Sequence, residues 1–284
     1  MLHLSWNRWP SSPFMHGFFA CVALVLCAPS QGREVVRVGG TGAGAGALQA
    51  LAKAYERRHP DHSVQVLPSI GSSGGIHAVI DGKLEVGCTS RPLKAEEWVP
   101  GLVAIPWATT PFVFATQAST PAEDLTLSGI EDIYAGRRTQ WKDGRPIRLV
   151  LRPKSDAAHA YLSEVTPGMP SALNHAHALA GVCVGMTDQD ALAYIEKTPG
   201  SFGTNVLGLI VSEGRKVQAL AVDGASPMDK RYRFALTLTL VHRPAGASSA
   251  TRGFLEFAGS KDGRSILVQA GYLPLPTDPP RRGK

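Results

Sequence analysis

Aromatic residues make up only 7% of the 284-residue chain and charged residues 18%, and neither kind is gathered into a long run. A nucleic-acid groove calls for a stripe of Lys and Arg with interleaved aromatics, and no such stripe exists here. The formal charge of +6 is spread along the sequence, which favours encounter with small anions. Its one local cluster, the tail Pro-Pro-Arg-Arg-Gly-Lys, reads as a solvated end. Cysteine is scarce as well. Cys21 and Cys27 lie near the amino terminus, Cys88 and Cys183 stand far apart, and no C-x-x-C spacing occurs, so neither a cysteine metal site nor a redox pair is indicated. Cys88 and Cys183 are expected as two buried, unpaired thiols. A G-x-S-x-G nucleophile elbow is missing. His175 and His177 sit two apart on a helical stretch and so point to different faces, which excludes joint metal ligation. The apolar run Phe14 to Ala28 is too short to span a bilayer comfortably.

What is present is a 44% hydrophobic composition, enough for one large or two medium domains with real cores. Residues 1–32 differ from the rest: one charge, Arg8, precedes the apolar run, and small residues follow it. This is the pattern of a secretory signal peptide, with Ala28 and Ser30 as candidate −3 and −1 positions. A retained anchor is the alternative. A lipoprotein reading fits poorly, because Phe18-Phe19-Ala20 and Leu24-Val25-Leu26 precede the two cysteines.

Beyond residue 32 strand and helix signals alternate. Glu-Val-Val-Arg-Val-Gly-Gly reads as a strand, and the stretch after it as a helix with Leu48, Leu51, Ala52 and Tyr55 on one face. A second strand (Ser-Val-Gln-Val-Leu-Pro-Ser), a short helix closed by Gly82 and a third strand (Leu-Glu-Val-Gly-Cys-Thr-Ser-Arg) follow. This β-α-β-α-β order predicts a parallel sheet with right-handed crossovers and a ligand edge at the carboxyl ends of its strands. The segment 102–117 reads as two short strands broken by Pro106 and Pro111, crossing to a second α/β lobe. Helices are expected near 157–165, 171–180 and 188–197. The β-rich run Arg231 to Pro244 reads as the return crossing. The expected division is 33–107 with 233–284 as one lobe and 108–232 as the other. Trp98, Trp107 and Trp141 are read as packing residues.

The turn after the first strand carries Gly42, Gly44 and Ala47, which satisfy the dinucleotide fingerprint G-x-G-x-x-G/A. A dinucleotide site also wants an acid at the end of the second strand, and Val-Leu-Pro-Ser-Ile-Gly-Ser-Ser-Gly-Gly supplies none. A nucleotide-binding enzyme is therefore disfavoured. The other turns at the same edge carry Ser72 and Ser73 ahead of a helix, and Thr89, Ser90 and Arg91. With Thr41 of the first turn, three turns offer hydroxyls and helix N-termini together, an arrangement that holds a small anion without a metal. Singly, each reads more readily as a helix cap or turn former than as an anion site; three at one edge favour the anion.

These residues resemble a known family. Gly-Ser-Ser-Gly-Gly-Ile-His-Ala-Val-Ile-Asp-Gly-Lys and the following Cys-Thr-Ser-Arg-Pro-Leu are similar to the second and third loops of phosphate-binding periplasmic proteins, the solute receptors of phosphate ABC transporters. Leu-Thr-Leu-Ser-Gly-Ile-Glu-Asp-Ile-Tyr-Ala-Gly, Leu-Val-Leu-Arg-Pro-Lys-Ser-Asp, Thr-Pro-Gly-Ser-Phe-Gly-Thr-Asn and the closing segment from Phe254 to Leu275 resemble further parts of that family in order. The resemblance implies an α/β, two-lobed type II periplasmic binding protein fold, each lobe a mostly parallel sheet flanked by helices. It implies an exported, non-enzymatic, monomeric receptor without cofactor, metal or nucleic acid, which closes on a small oxyanion, phosphate first, and docks on an ABC permease. Carried over residue by residue, Thr41, Gly42, Ser72, Ser73 and Ser90 match the first-lobe donors, and Arg152, Ser155 and Asp156 the second-lobe loop. A guanidinium presents a planar fork suited to two oxygens of a tetrahedral anion. The chain departs from the family where a Ser-Gly-Thr or Ser-Asp-x-Asp-Thr run is usual: it reads Ser155-Asp156-Ala157-Ala158-His159. Some members place an acid where Ser90 stands, and Asp156 is a candidate for its role of accepting the ligand's proton. A signalling or interaction protein with an altered anion site stays open as the alternative.

Overall fold

Val36 and Val38, spaced to share one face of an extended segment, are fully buried in the first strand, β1 (Glu34–Gly40). The computed structural model describes residues 33–276 and 281–283; the expected signal peptide, with Cys21 and Cys27, lies outside the described residues. Helix α1 (Ala45–Arg58) buries Leu48, Leu51, Ala52 and Tyr55 as its periodicity predicts. Then come β2 (His62–Val66), α2 (Gly71–Ile80) and β3 (Val86–Thr89), with β1 paired parallel to both strands. The middle of the chain runs β4 (Val103–Gln117), β5 (Asp124–Leu125), α3 (Leu127–Tyr134), β6 (Arg148–Leu151), α4 (Ala157–Ser163), α5 (Met169–Ala178) and β7 (Cys183–Val184). It continues through α6 (Asp188–Lys197), β8 (Ser201–Val206), α7 (Leu207–Ser212), β9 (Val217–Ala219) and β10 (Ala221–Val222). The last elements are β11 (Ala235–His242), α8 (Ser249–Gly259), α9 (Lys261–Gln269), β12 (Leu273–Pro274) and β13 (Arg281–Arg282).

One sheet has the path β2-β1-β3-β11-β4-β8-β6-β7. Its two ends are parallel, β2-β1-β3 and β8-β6-β7, and the antiparallel β11 and β4 join them. Strands β9, β12 and β13 also pair with β4, while β5 and β10 form a separate pair.

Three expectations are corrected. Segment 103–117 is a single 15-residue strand and is not broken by proline. Pro106 lies where the β4–β11 register slips, between Leu238 and Thr239, and Pro111 faces Ala235 just before β4 passes to β8, so the missing N–H groups fall where pairing is already interrupted. Ser72 and Ser73 lie inside the first turn of α2, which starts at Gly71, because nothing in Gly-Ser-Ser-Gly-Gly stops a helix that packs on β3. The tail is not simply solvated: Arg281 and Arg282 pair with Ala104 and Val103 of β4.

The main hydrophobic core runs along the sheet, and a smaller separate cluster of Ile76, Val79, Leu84, Leu102, Ala104 and Val241 lies by α2. Near β8, Phe202 meets Phe114, Tyr134 and Trp141 at ring-centroid separations of 6.0, 5.5 and 6.0 Å. Trp107 and Trp141 are buried as packing residues and Trp98 partly so. Cys88 and Cys183 are both unpaired, but only Cys88 is fully buried; Cys183, on the edge strand β7, is half-buried. Burial pushes the Cys88 thiol up to about 12 and raises the Cys183 thiol as well.

Phe202→Ala is expected to cost about 3–5 kcal/mol in urea unfolding, since it empties a site lined by three other rings. In the native protein at about pH 8, where the thiolate is the reactive form, a disulfide reagent is expected to spare Cys88, label Cys183 slowly, and label both after unfolding.

Candidate functional site

Strand β1 ends in Gly40, whose φ of +126° is closed to most side chains. A Cβ there would stand 2.1 Å from the Cys88 carbonyl oxygen, and one on Gly75 would stand 2.6 Å from the Gly40 Cα. The ends of β1, β3 and α2 can therefore touch backbone to backbone, and the Thr41 N–H donates to the Cys88 carbonyl at 2.9 Å. This close approach gathers three hydroxyls from three turns. Ser90 Oγ lies 3.2 Å from Thr41 Oγ1 and 3.3 Å from Ser72 Oγ, and the Ser90 N–H donates to Ser72 Oγ at 3.1 Å. All three residues are buried.

None of these hydroxyls caps a helix. Thr41 makes no side-chain cap to the short 3-10 turn Gly42–Gly44, and α1 and α2 also open without a side-chain cap. By contrast Thr126, Asp156, Thr187, Ser248 and Ser260 cap α3, α4, α6, α8 and α9 through their side chains. The Ser and Thr residues of the first, second and third turns are thus not used as ordinary caps; the Ala45 N–H that opens α1 donates to the Gly42 carbonyl, while the first-turn N–H groups of α2 have no side-chain cap.

Arg152, at the end of β6, is buried and faces the same cleft as Ser72. Its Nη1 donates to the Gly185 carbonyl at 2.7 Å, while Nε and Nη2 donate to Asp156 Oδ1 and Oδ2 at 3.3 and 2.8 Å. Asp156 also caps α4, accepting from the Ala158 N–H at 2.9 Å. A second carboxylate, Asp188 at the start of α6, brings Oδ2 to 3.8 Å from Arg152 Nη2. It lies against Gly42: a Cβ on that glycine would be 2.6 Å from Asp188 Oδ2 and 2.5 Å from Gln189 Oε1. Burial raises the Asp188 carboxyl above the ordinary Asp range; the Arg152 charge pulls it down, the Asp156 charge raises it further, and its own N–H and that of Ala43 pull it down.

The cleft between Ser72 and Arg152 has a volume of about 440 Å³ and is also lined by Ser69, Arg91, Asp156 and Thr187. Ile70 and Met186 stand exposed at its mouth. Ser73 and Ser155 border it but are exposed. Ser73 Oγ accepts from Arg91 Nη2 at 2.7 Å, and Arg91 is itself gripped by Glu97 through bonds of 2.8 and 2.6 Å. A comparable cleft of about 430 Å³ near Ile133, Leu179 and Cys183 contains no such convergence of hydroxyls. Among the described residues no cluster of His, Cys, Asp and Glu could hold a metal ion, and no helix is long and apolar enough to cross a membrane.

Of the residues singled out from sequence, Ser72, Arg152 and Asp156 line one cleft and Ser73 and Ser155 stand at its rim; Thr41 and Ser90 are joined to Ser72 by hydroxyl contacts, and Gly42 lies against Asp188, without lining it. Asp188 escaped the sequence reading. In Thr187-Asp188-Gln189-Asp190 it follows the capping Thr187, a place where any acid suits the helix dipole, so composition alone gives no sign that it turns inward.

A mixed sheet flanked by helices, with a polar cleft at the strand ends, is the type II periplasmic binding protein fold. The model of the PBP superfamily domain matches residues 28–262, and the chain belongs to that superfamily. Membership makes it a solute-binding protein and not an enzyme. A Clostridium perfringens ABC transporter substrate-binding protein solved with bound phosphate shares the fold at a TM-score of 0.72 and 23% identity, covering 86% of this chain and 100% of the other. The phosphate-binding protein PstS of Borreliella burgdorferi is 21% identical over 266 residues, 89% of this chain and 95% of that protein. PstS 2 of Streptococcus agalactiae is 29% identical over 96 residues, 34% of this chain; the match spans only 32% of that relative's length.

Gly42→Ala is expected to push the α6 N-terminus away from the first turn and to lower stability by about 1–3 kcal/mol in a denaturant titration, the usual cost of overpacking.

Proposed function

We propose that this chain is an exported solute-binding protein that captures a small tetrahedral oxyanion, phosphate first, and delivers it to an ABC-type permease in the membrane. It acts as a monomer, and two lobes, residues 33–107 with 233–284 and residues 108–232, close over the ligand. The observation that carries this reading is the cleft itself: Ser72, tied to Ser90 and Thr41, lines it from one side and the buried Arg152 from the other. Neutral hydroxyls, the first-turn N–H groups of α2 and the Arg152 guanidinium can surround a dehydrated oxyanion, whose charge is worth most where water is excluded. The relatives, phosphate-binding proteins and a substrate-binding protein with bound phosphate, support phosphate as the first ligand to test.

Within this reading Thr41, Ser72 and Ser90 donate to ligand oxygens and the first-turn backbone at Gly42 approaches closely. Arg152 supplies the charge, and Ser73 and Ser155 reach the ligand only on closure. Calorimetric titration of ligand-stripped protein with phosphate, sulfate and molybdate tests it. Phosphate is expected to bind, and Arg152→Ala to weaken binding more than tenfold, because hydrogen bonds to a charged partner contribute about 1.5–3 kcal/mol. Unchanged phosphate affinity in that variant would remove the pocket assignment.

A further inference from the structure

Two large apolar side chains stand uncovered at the mouth of the cleft between Ser72 and Arg152. Ile70, just ahead of α2, is 51% exposed, and Met186, between β7 and α6, is 68% exposed. Single exposed apolar residues are ordinary on a protein surface. These two come from opposite walls and border one opening. Ile70 lies two residues before Ser72, and Met186 follows Gly185, whose carbonyl accepts from Arg152 Nη1 at 2.7 Å. Pro153 and Ala157 add to the apolar lining.

The polar side chains around this opening are already engaged. Ser69 Oγ donates to the Gly40 carbonyl at 3.2 Å, and Thr187 Oγ1 accepts from the Asp190 N–H at 3.0 Å. Arg91 Nη1 donates to the Pro92 carbonyl and to Glu97 Oε2, both at 2.8 Å, and its Nη2 to Glu97 Oε1 and Ser73 Oγ at 2.6 and 2.7 Å. A charged oxygen directed outward between Ile70 and Met186 would lose water there and gain little in return, which is costly. An organic substituent in the place of that oxygen would meet apolar atoms instead and be favoured by their burial.

The size of the cleft points the same way. Its volume of about 440 Å³ is that of sites for drug-sized ligands, which run from about 300 to 1,000 Å³, and far exceeds what a bare phosphate fills. The space does not come from separated walls. Gly42 lies against the start of α6, where an added Cβ would stand 2.6 Å from Asp188 Oδ2 and 2.5 Å from Gln189 Oε1. The two walls already meet there, and the volume remains.

We infer that the cleft takes a phospho group bearing one organic substituent, a phosphomonoester or an organophosphonate with a compact apolar or aromatic group. The inference rests on the oxyanion reading above and deepens it by naming the substrate class. The phospho oxygens meet Ser72, the first-turn N–H groups of α2 and Arg152, and the substituent lies between Ile70 and Met186. The unbranched side chain and polarizable sulfur of Met186 suit an aromatic ring and adapt to groups of different shape.

Calorimetric titration of the ligand-stripped protein with inorganic phosphate, methylphosphonate, phenylphosphonate and phenyl phosphate tests this. At least one phenyl compound is expected to bind about tenfold more tightly than inorganic phosphate, with methylphosphonate in between. A gain confined to phenyl phosphate assigns the site to esters, and one confined to phenylphosphonate assigns it to phosphonates. Ile70→Ala and Met186→Ala are each expected to weaken binding of the phenyl compounds about threefold or more and to leave inorganic phosphate unchanged. Alanine is used at position 70 because this is the N-cap position of α2, where a serine hydroxyl would compete for the helix N–H groups. Phenyl compounds that bind no more tightly than inorganic phosphate, or a tighter binding that neither variant weakens, overturn the inference while phosphate binding upholds the oxyanion reading. Binding of a phenyl compound without binding of inorganic phosphate supports the inference in its strongest form. Silence toward all four compounds overturns the oxyanion reading and this inference with it.

Discussion

A guanidinium removed from water has to be answered by negative or carbonyl oxygens, and most of the cleft can be understood from how this chain answers Arg152. Leaving it unmatched would cost several kcal/mol, and matching it with too many carboxylates moves the cost to the acids instead. The chain uses one backbone carbonyl and two carboxylates from two different helices, α4 and α6. That choice fixes where both helices begin. Asp156 can cap α4 and hold the arginine at once only if α4 starts five residues after Arg152, and Asp188 can reach it only if α6 starts beside the Gly42 turn.

The opposite wall obeys a different constraint. Hydroxyl groups from separate turns can share hydrogen bonds only where backbones approach within contact distance, so the wall is built on glycine: Gly40 against Cys88, Gly75 against Gly40. One wall is thus neutral, made by backbone proximity, and the other is charged, made by Arg152 and the carboxylates that pair with it. A ligand between them meets fixed donors on one side and a balance of charges on the other.

Much of this was legible in the sequence because it depends on local order. Alternating strands and helices bring the carboxyl ends of parallel strands together, so Thr41, Ser72 and Ser90 could be grouped from their positions after three successive strands. Arg152 and Asp156 were found through a resemblance that runs along the chain. Asp188 was not, since its burial comes from a contact between Gly42 and the start of α6, nearly 150 residues apart in sequence (188 − 42 = 146). Nor could the sequence show that Ser73 faces Arg91 and solvent while its neighbour Ser72 faces inward. On a helix that distinction rests on a rotation of about 100° per residue and on a starting residue, Gly71, which the glycine-rich run did not mark. The unbroken β4 was missed for a related reason. Proline forbids a donor, but whether that donor was needed depends on which partner strand lies alongside at that point.

Strand β4 also bears on the mechanics of the molecule. At about 3.3 Å per residue its fifteen residues make a continuous beam about 50 Å long, laced to β11 along its first half and to β8 and β9 along its second. A beam of this kind resists bending in the plane of its hydrogen bonds but yields to torsion. The two ends of the sheet therefore have no loose linker to pivot on at this strand. Relative movement has to be spread as small changes of twist over many residues, with the register slip at Pro106 as the softest point, where the lacing to β11 is already irregular.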